Sequence, residues 1–146
     1  MTAALQLDST ATTIATRLFG TLEITPDDVL RFAGGLPGFP QAERFVVLTT
    51  PAPALRWLQS ADLPELAFLL VDYGTATGTE IAAGEEAYAI VTLPGQDRQT
   101  TANLRAPVLI DRAVGSGEQV ILTDSSHGTA EPLDLDALLG AAEPAA

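Results

Sequence analysis

Few residues in this chain have the types and spacing that chemistry needs. Ser125-Ser126-His127 sets two hydroxyls beside the only histidine, which is the raw material of a serine hydrolase. Neighbours on a strand point to opposite faces, however, and a catalytic triad is assembled in space rather than in sequence. One histidine and no cysteine leave zinc with only carboxylates to help it. No calcium-loop spacing occurs, so neither a metal nor another cofactor is expected. Of the paired acids, Asp27-Asp28 suits a helix start and Glu85-Glu86 an exposed loop.

The stretch FAGGLPGFP (32–40) is the other candidate, because glycine-rich loops cradle phosphates. A Walker loop needs a lysine and a Ser or Thr after its glycines, whereas Phe39, Pro40, Gln41 and Ala42 follow Gly38. The spacing of Gly34, Gly35 and Gly38 also misses the dinucleotide fingerprint, and no base is present to meet a phosphate. The stretch therefore reads as a rigid double turn. Gly34, Gly35 and Gly38 permit positive φ, Pro37 fixes φ, and the phenylalanines anchor the ends in a core.

Charge points to what the molecule touches. Nineteen acids face seven bases, all arginine, giving a net charge of −12. From Trp57 to Asp97 inclusive there are seven acids and no base. Such a surface repels nucleic-acid phosphates; it serves solubility and admits a basic protein partner. No apolar run approaches the roughly 18–20 residues of a membrane span. The N-terminus lacks the basic start of a secretory signal, and the absence of cysteine fits a cytoplasmic protein.

The elements that would position these residues are short and mainly extended. Residues 1–13 read as a flexible tail, 14–133 as one domain and 134–146 as a short helix and tail. A hairpin is expected over 14–24. TPDDVLRF (25–32) opens with Thr25 as a cap, Pro26 at the first helical position and two acids, so a short helix is expected there. Strands are expected at 44–49, 55–60, 66–71, 87–92, 103–110 and 119–123, separated by Pro- and Gly-rich turns. This spacing predicts an all-β, mainly antiparallel, small barrel-like domain with one or two short helices. Pro107 cannot donate a ladder hydrogen bond and marks an edge or bulge. Alternation puts Leu104, Ala106, Val108 and Ile110 on a buried face, and Asn103, Arg105, Pro107 and Leu109 on an exposed one. Trp57 is expected in the core.

Several stretches together resemble the FliW family of flagellar assembly factors: LFGTLEI (18–24), FAGGLPGF (32–39), WLQSADLPELAF (57–68), TANLRAPVLID (101–111) and GEQVIL (117–122), in that order. The resemblance covers about residues 17–125. It implies a β-barrel-like domain without catalytic activity that binds the C-terminal helical part of flagellin before export. It also implies antagonism of CsrA, a small basic RNA-binding regulator of flagellin synthesis. This chain departs from the family pattern in a shorter segment between Tyr73 and Tyr88, and in His127 and Ala130, where Tyr and Arg are usual. Motif position and expected exposure place the partner contact near Gln59, Asp62, Glu65, Asp72, Asn103 and Arg105. The alternative is a small-ligand or hydrolytic barrel built around Ser125-Ser126-His127.

Overall fold

Apolar side chains occupy both faces of the central segments, and that pattern shapes the molecule. The structure, a computed structural model, describes residues 12–80, 85–93, 99–123 and 126–140. A hairpin comes first, β1 (Thr12–Thr16) and β2 (Gly20–Ile24). Barrel strands follow: β3 (Leu30–Arg31), β4 (Arg44–Thr49), β5 (Leu55–Ser60), β6 (Ala67–Asp72), β7 (Glu86–Thr92), β8 (Thr101–Asp111) and β9 (Ser116–Gln119). Helix α1 (Tyr73–Thr77) lies between β6 and β7; β10 (Glu131–Pro132) and α2 (Leu135–Gly140) come last.

Consecutive strands β3 to β9 pair antiparallel, and β9 closes the ring by meeting β3 in a parallel bridge, Ser116 opposite Arg31. The result is a closed barrel of seven strands, so the expected all-β, mainly antiparallel barrel is what forms. Its interior holds Leu30, Phe32, Phe45, Leu58, Leu70, Tyr88, Val108 and Ile110. Phe32 and Phe45 are fully buried and meet edge-on, with centroids 5.1 Å apart. At the seam, Gly117 faces the Phe32 ring, and a β-carbon there would collide with it.

The outer face is apolar too, and other elements cover it. The β1–β2 hairpin lays Ile14, Leu22 and Ile24 over Val46, Leu48 and Ala61. Beyond β4, Leu55, Leu69, Val71, Ala89, Val91 and Leu104 pack under α1 and the Leu133–Leu138 segment. Trp57 is half-buried on this outer layer, edge-on to Phe19 at 5.4 Å.

Strands β4 and β5 and the 14–24 hairpin lie where the sequence predicts, although β1 takes in Thr12 and Thr13 from the expected tail. Residues 1–11, the expected turn at Pro94-Gly95 and the end of the C-terminal tail, 141–146, fall outside the described residues. Four expectations are corrected. The 25–32 helix is a single 3-10 turn, Pro26–Asp28, because Leu30 and Phe32 are drawn into the barrel, where Leu30 pairs with Phe45. The 119–123 strand instead occupies Ser116–Gln119. Beyond it, the Val120 and Leu122 N–H groups still donate to the Pro107 and Arg105 carbonyls. Gly74 and Gly78, expected as turn formers between strands, belong to α1, which is capped by the Asp72 carboxylate and ended by Gly78 in a left-handed conformation. Pro107 is buried rather than exposed; the pairing of β8 jumps there from Tyr88–Val108 to Ile90–Asn103, the bulge that proline marks.

The 32–40 stretch is a double turn as expected. Gly35 is its tightest point, with φ +74 and no room for a β-carbon beside the Phe39 carbonyl. The connection between β5 and β6, Ala61–Leu66, is tied to β4 by Asp62. Its carboxylate accepts from the backbone N–H groups of Glu43 and Arg44, each at 2.9 Å, and from Arg44 Nε at 2.8 Å. Burial pushes this carboxyl up. The hydrogen bonds and the Arg44 charge outweigh burial and hold it below its ordinary value.

Two consequences are testable. Gly117→Ala drives a methyl into the Phe32 ring and is expected to cost about 1–3 kcal/mol; in denaturant unfolding, adding Phe32→Leu recovers part of that loss. Because folding depresses the Asp62 pKa, its contribution is complete above about pH 4 and is lost as pH falls through the folded value. Asp62→Asn is therefore expected to lower stability at pH 7 by about 1–3 kcal/mol. It should also flatten the acid limb of the stability–pH curve, read as thermal midpoint against pH.

Candidate functional site

One part of the outer face has no cover. Between the start of β7, the second half of β8 and the chain after β9, a groove of about 440 Å³ has Ala87, Pro107, Leu109, Val120 and Leu122 along its floor. Leu109 is 38% exposed although it is a large aliphatic side chain. Leu109 pairs with Ala87 on the outer row of the sheet, and the β8 bulge carries Pro107 into the floor. The rim is acidic: Glu85, Glu86 and Asp111 line it and no base does.

The rim is partly rigid. Glu86, expected in a loop, stands in β7 and accepts from Tyr88 Oη at 2.8 Å and from Arg112 Nε at 2.7 Å. Burial raises its pKa, but the hydrogen bonds from Arg112 and Tyr88 and the charges of Arg112 and Arg56 prevail and lower it. Burial, then the neighbouring Glu86 carboxylate, pushes the Tyr88 phenol up to about 12. Tyr73, at the groove's end, is pushed up by burial and donates its hydroxyl to the Leu104 carbonyl at 2.8 Å. Glu86 is thus held charged, and both phenols are held protonated. Glu85 is exposed. The groove therefore combines an apolar floor with carboxylates on its rim.

The six residues expected at the contact do not form one patch. Gln59 is a correction: it is fully buried, because the hairpin covers the outer face where Val46 pairs with it. Its Nε2 donates to the Ser60 and Pro64 carbonyls. Asp62 is spent on β4, and Asp72 caps α1 through Thr75. The Asn103 side-chain oxygen accepts from the Arg105 and Ala106 N–H groups and so holds the bulge. Arg105 is half-buried and reaches toward the His127 carbonyl at 3.5 Å. Glu65 alone is exposed, beside a small apolar pocket of Phe39, Leu63, Pro64 and Leu66. Asp62 and Glu65 stand at the far end of the β5–β6 hairpin from Asp72.

Ser125 lies outside the described residues, Ser126 is exposed, and His127 is half-buried, edge-on to Tyr73 with centroids 6.4 Å apart. Among the described residues no group of three His, Cys, Asp or Glu side chains gathers to hold a metal ion. No described helix is long and apolar enough to cross a membrane. The sequence reading missed the groove. Its one visible signal was Leu109 on the face expected to be exposed.

The closed barrel with its outer covers has counterparts among known proteins. The sequence model of the FliW protein family matches residues 13–79 and 80–133. The flagellar assembly factor FliW of Moorella thermoacetica is 39% identical over 137 residues, covering 82% of this chain and 87% of its own. That of Heliobacterium modesticaldum is 39% identical, covering 80% and 86%. That of Bdellovibrio bacteriovorus is 32% identical, covering 82% and 78%. A crystal structure of the flagellar assembly factor FliW superposes with a TM-score of 0.73 at 32% identity, covering 83% of this chain and 96% of that one. The family model spans nearly the whole described chain, a solved FliW structure superposes on 83% of it, and the protein belongs to the FliW family.

Proposed function

We propose that this chain is a cytoplasmic flagellar assembly factor without catalytic activity. It binds the C-terminal helical region of flagellin as a chaperone and antagonises the regulator CsrA, so that flagellin synthesis follows export. Family membership along residues 13–133 carries this reading. The acid-rimmed groove supports it, because a carboxylate rim around an apolar floor suits a basic protein such as CsrA. The net charge of −12 opposes direct contact with nucleic acid, so control of translation would run through the protein partner.

Calorimetry against flagellin from the same genome tests the chaperone arm. Micromolar or tighter binding is expected with intact monomer, and its loss when the C-terminal helical segment is removed. Equal binding without that segment counts against the assignment. For the CsrA arm, Glu85→Lys changes an exposed rim charge without disturbing a hydrogen-bonded network. It is expected to weaken CsrA binding by about 0.2–1 kcal/mol and to reduce its salt dependence. An unchanged salt slope removes the groove from that interaction.

A further inference from the structure

The outer face of β5 and β6 already receives one helix and has room beside it. Helix α2 packs Leu135 and Leu138 against the layer that holds Leu55, Trp57 and Leu69. With six residues α2 is about 9 Å long, whereas β5, also six residues, runs about 20 Å. The uncovered remainder is a groove of about 430 Å³ between Leu55, Trp57, Leu69 and Leu93 on one side and Leu135 and Leu139 on the other. Leu93 is 51% and Leu139 50% exposed, so two large aliphatic side chains stand open at its lips. Isolated apolar exposure is ordinary, but convergence of exposed leucines on a half-open tryptophan is the pattern of an interaction surface.

We propose that this groove seats an amphipathic helix of a partner protein, lying alongside α2 with an apolar stripe inward and basic residues at its flanks. The inference rests on the reading above, under which that helix is the C-terminal helical part of flagellin. Two observations favour this occupant. First, the face packs a helix natively, so a second can continue the same interface. Second, the groove residues include no base, and exposed Asp134 and Asp136 stand on and beside α2, which favours cationic flanks. A second copy of the chain would bring acid against acid, −12 against −12.

Trp57 is the only tryptophan of the chain, so its emission reports on this groove directly. The test titrates the full-length protein with flagellin's C-terminal helical segment as a synthetic peptide, any tryptophan in it replaced by phenylalanine. A blue shift of Trp57 emission is expected. Leu93→Glu and Leu139→Glu, both at exposed positions, are expected to weaken binding at least about tenfold. Val114→Glu, 70% exposed in the turn after β8, should leave it unchanged. If the wild-type chain binds the peptide but its emission and both groove variants behave as if nothing had changed, the groove assignment falls and the chaperone reading stands. If the wild-type chain binds neither peptide nor intact flagellin, both fall. A Trp57 shift that grows with protein concentration alone, and disappears in Leu139→Glu, overturns the proposal in favour of a second copy.

Discussion

The barrel interior takes the side chains from only one face of each strand, yet β4 to β7 are apolar on both. That imbalance organises the rest of the molecule. Leu58, Leu70 and Tyr88 fill the interior, while their neighbours Trp57, Leu69, Val71, Ala87 and Ala89 face outward. Covering those outward residues is what the hairpin, α1 and α2 do. The exposed Leu109, and Leu93 with Leu139, mark where the covering is incomplete. The two grooves proposed to meet partners are the parts of the second layer left unfinished.

Polar side chains are spent on making the covers sit correctly. Asp62 pins the Ala61–Leu66 connection to β4, Asp72 starts α1, and Asn103 shapes the bulge that carries Pro107 into a groove floor. Each looks like a contact residue in a list of charges and amides. In the fold each satisfies backbone N–H groups that no strand or helix pairing could reach. Acidity in this chain therefore divides into structural carboxylates, held by hydrogen bonds, and rim carboxylates such as Glu85, which are free to meet a partner.

Much of this was legible in the sequence. RFVVLT and LRWLQS gave their strands to the residue, since β-branched and aromatic side chains between Pro- and Gly-rich breaks leave little choice. The double turn of FAGGLPGFP followed from its glycines and prolines. The errors share one cause. Period-2 reading assumes a wet outer face, so it exposed Pro107, which lines a groove, while motif position made a contact of Gln59, which lies under the hairpin. Nor does local pattern show that the missing side chain of Gly117 is what admits Phe32 at the seam. Contacts made by a second layer, or across a closure distant in sequence, leave no mark in local pattern.

That closure has a consequence for the life of the chain. Arg31 and Ser116, which seal the ring, lie at opposite ends of the barrel sequence. A nascent chain emerging N-terminus first can pair β3 with β4 and continue strand by strand, but it holds an open sheet until Gly117 arrives to receive Phe32. Until that moment the future interior, two phenylalanines included, is displayed to everything near the ribosome. Proteins dominated by such long-range contacts fold slowly and are prone to association on the way. The chain is thus exposed to misassociation until its last barrel strand has been made.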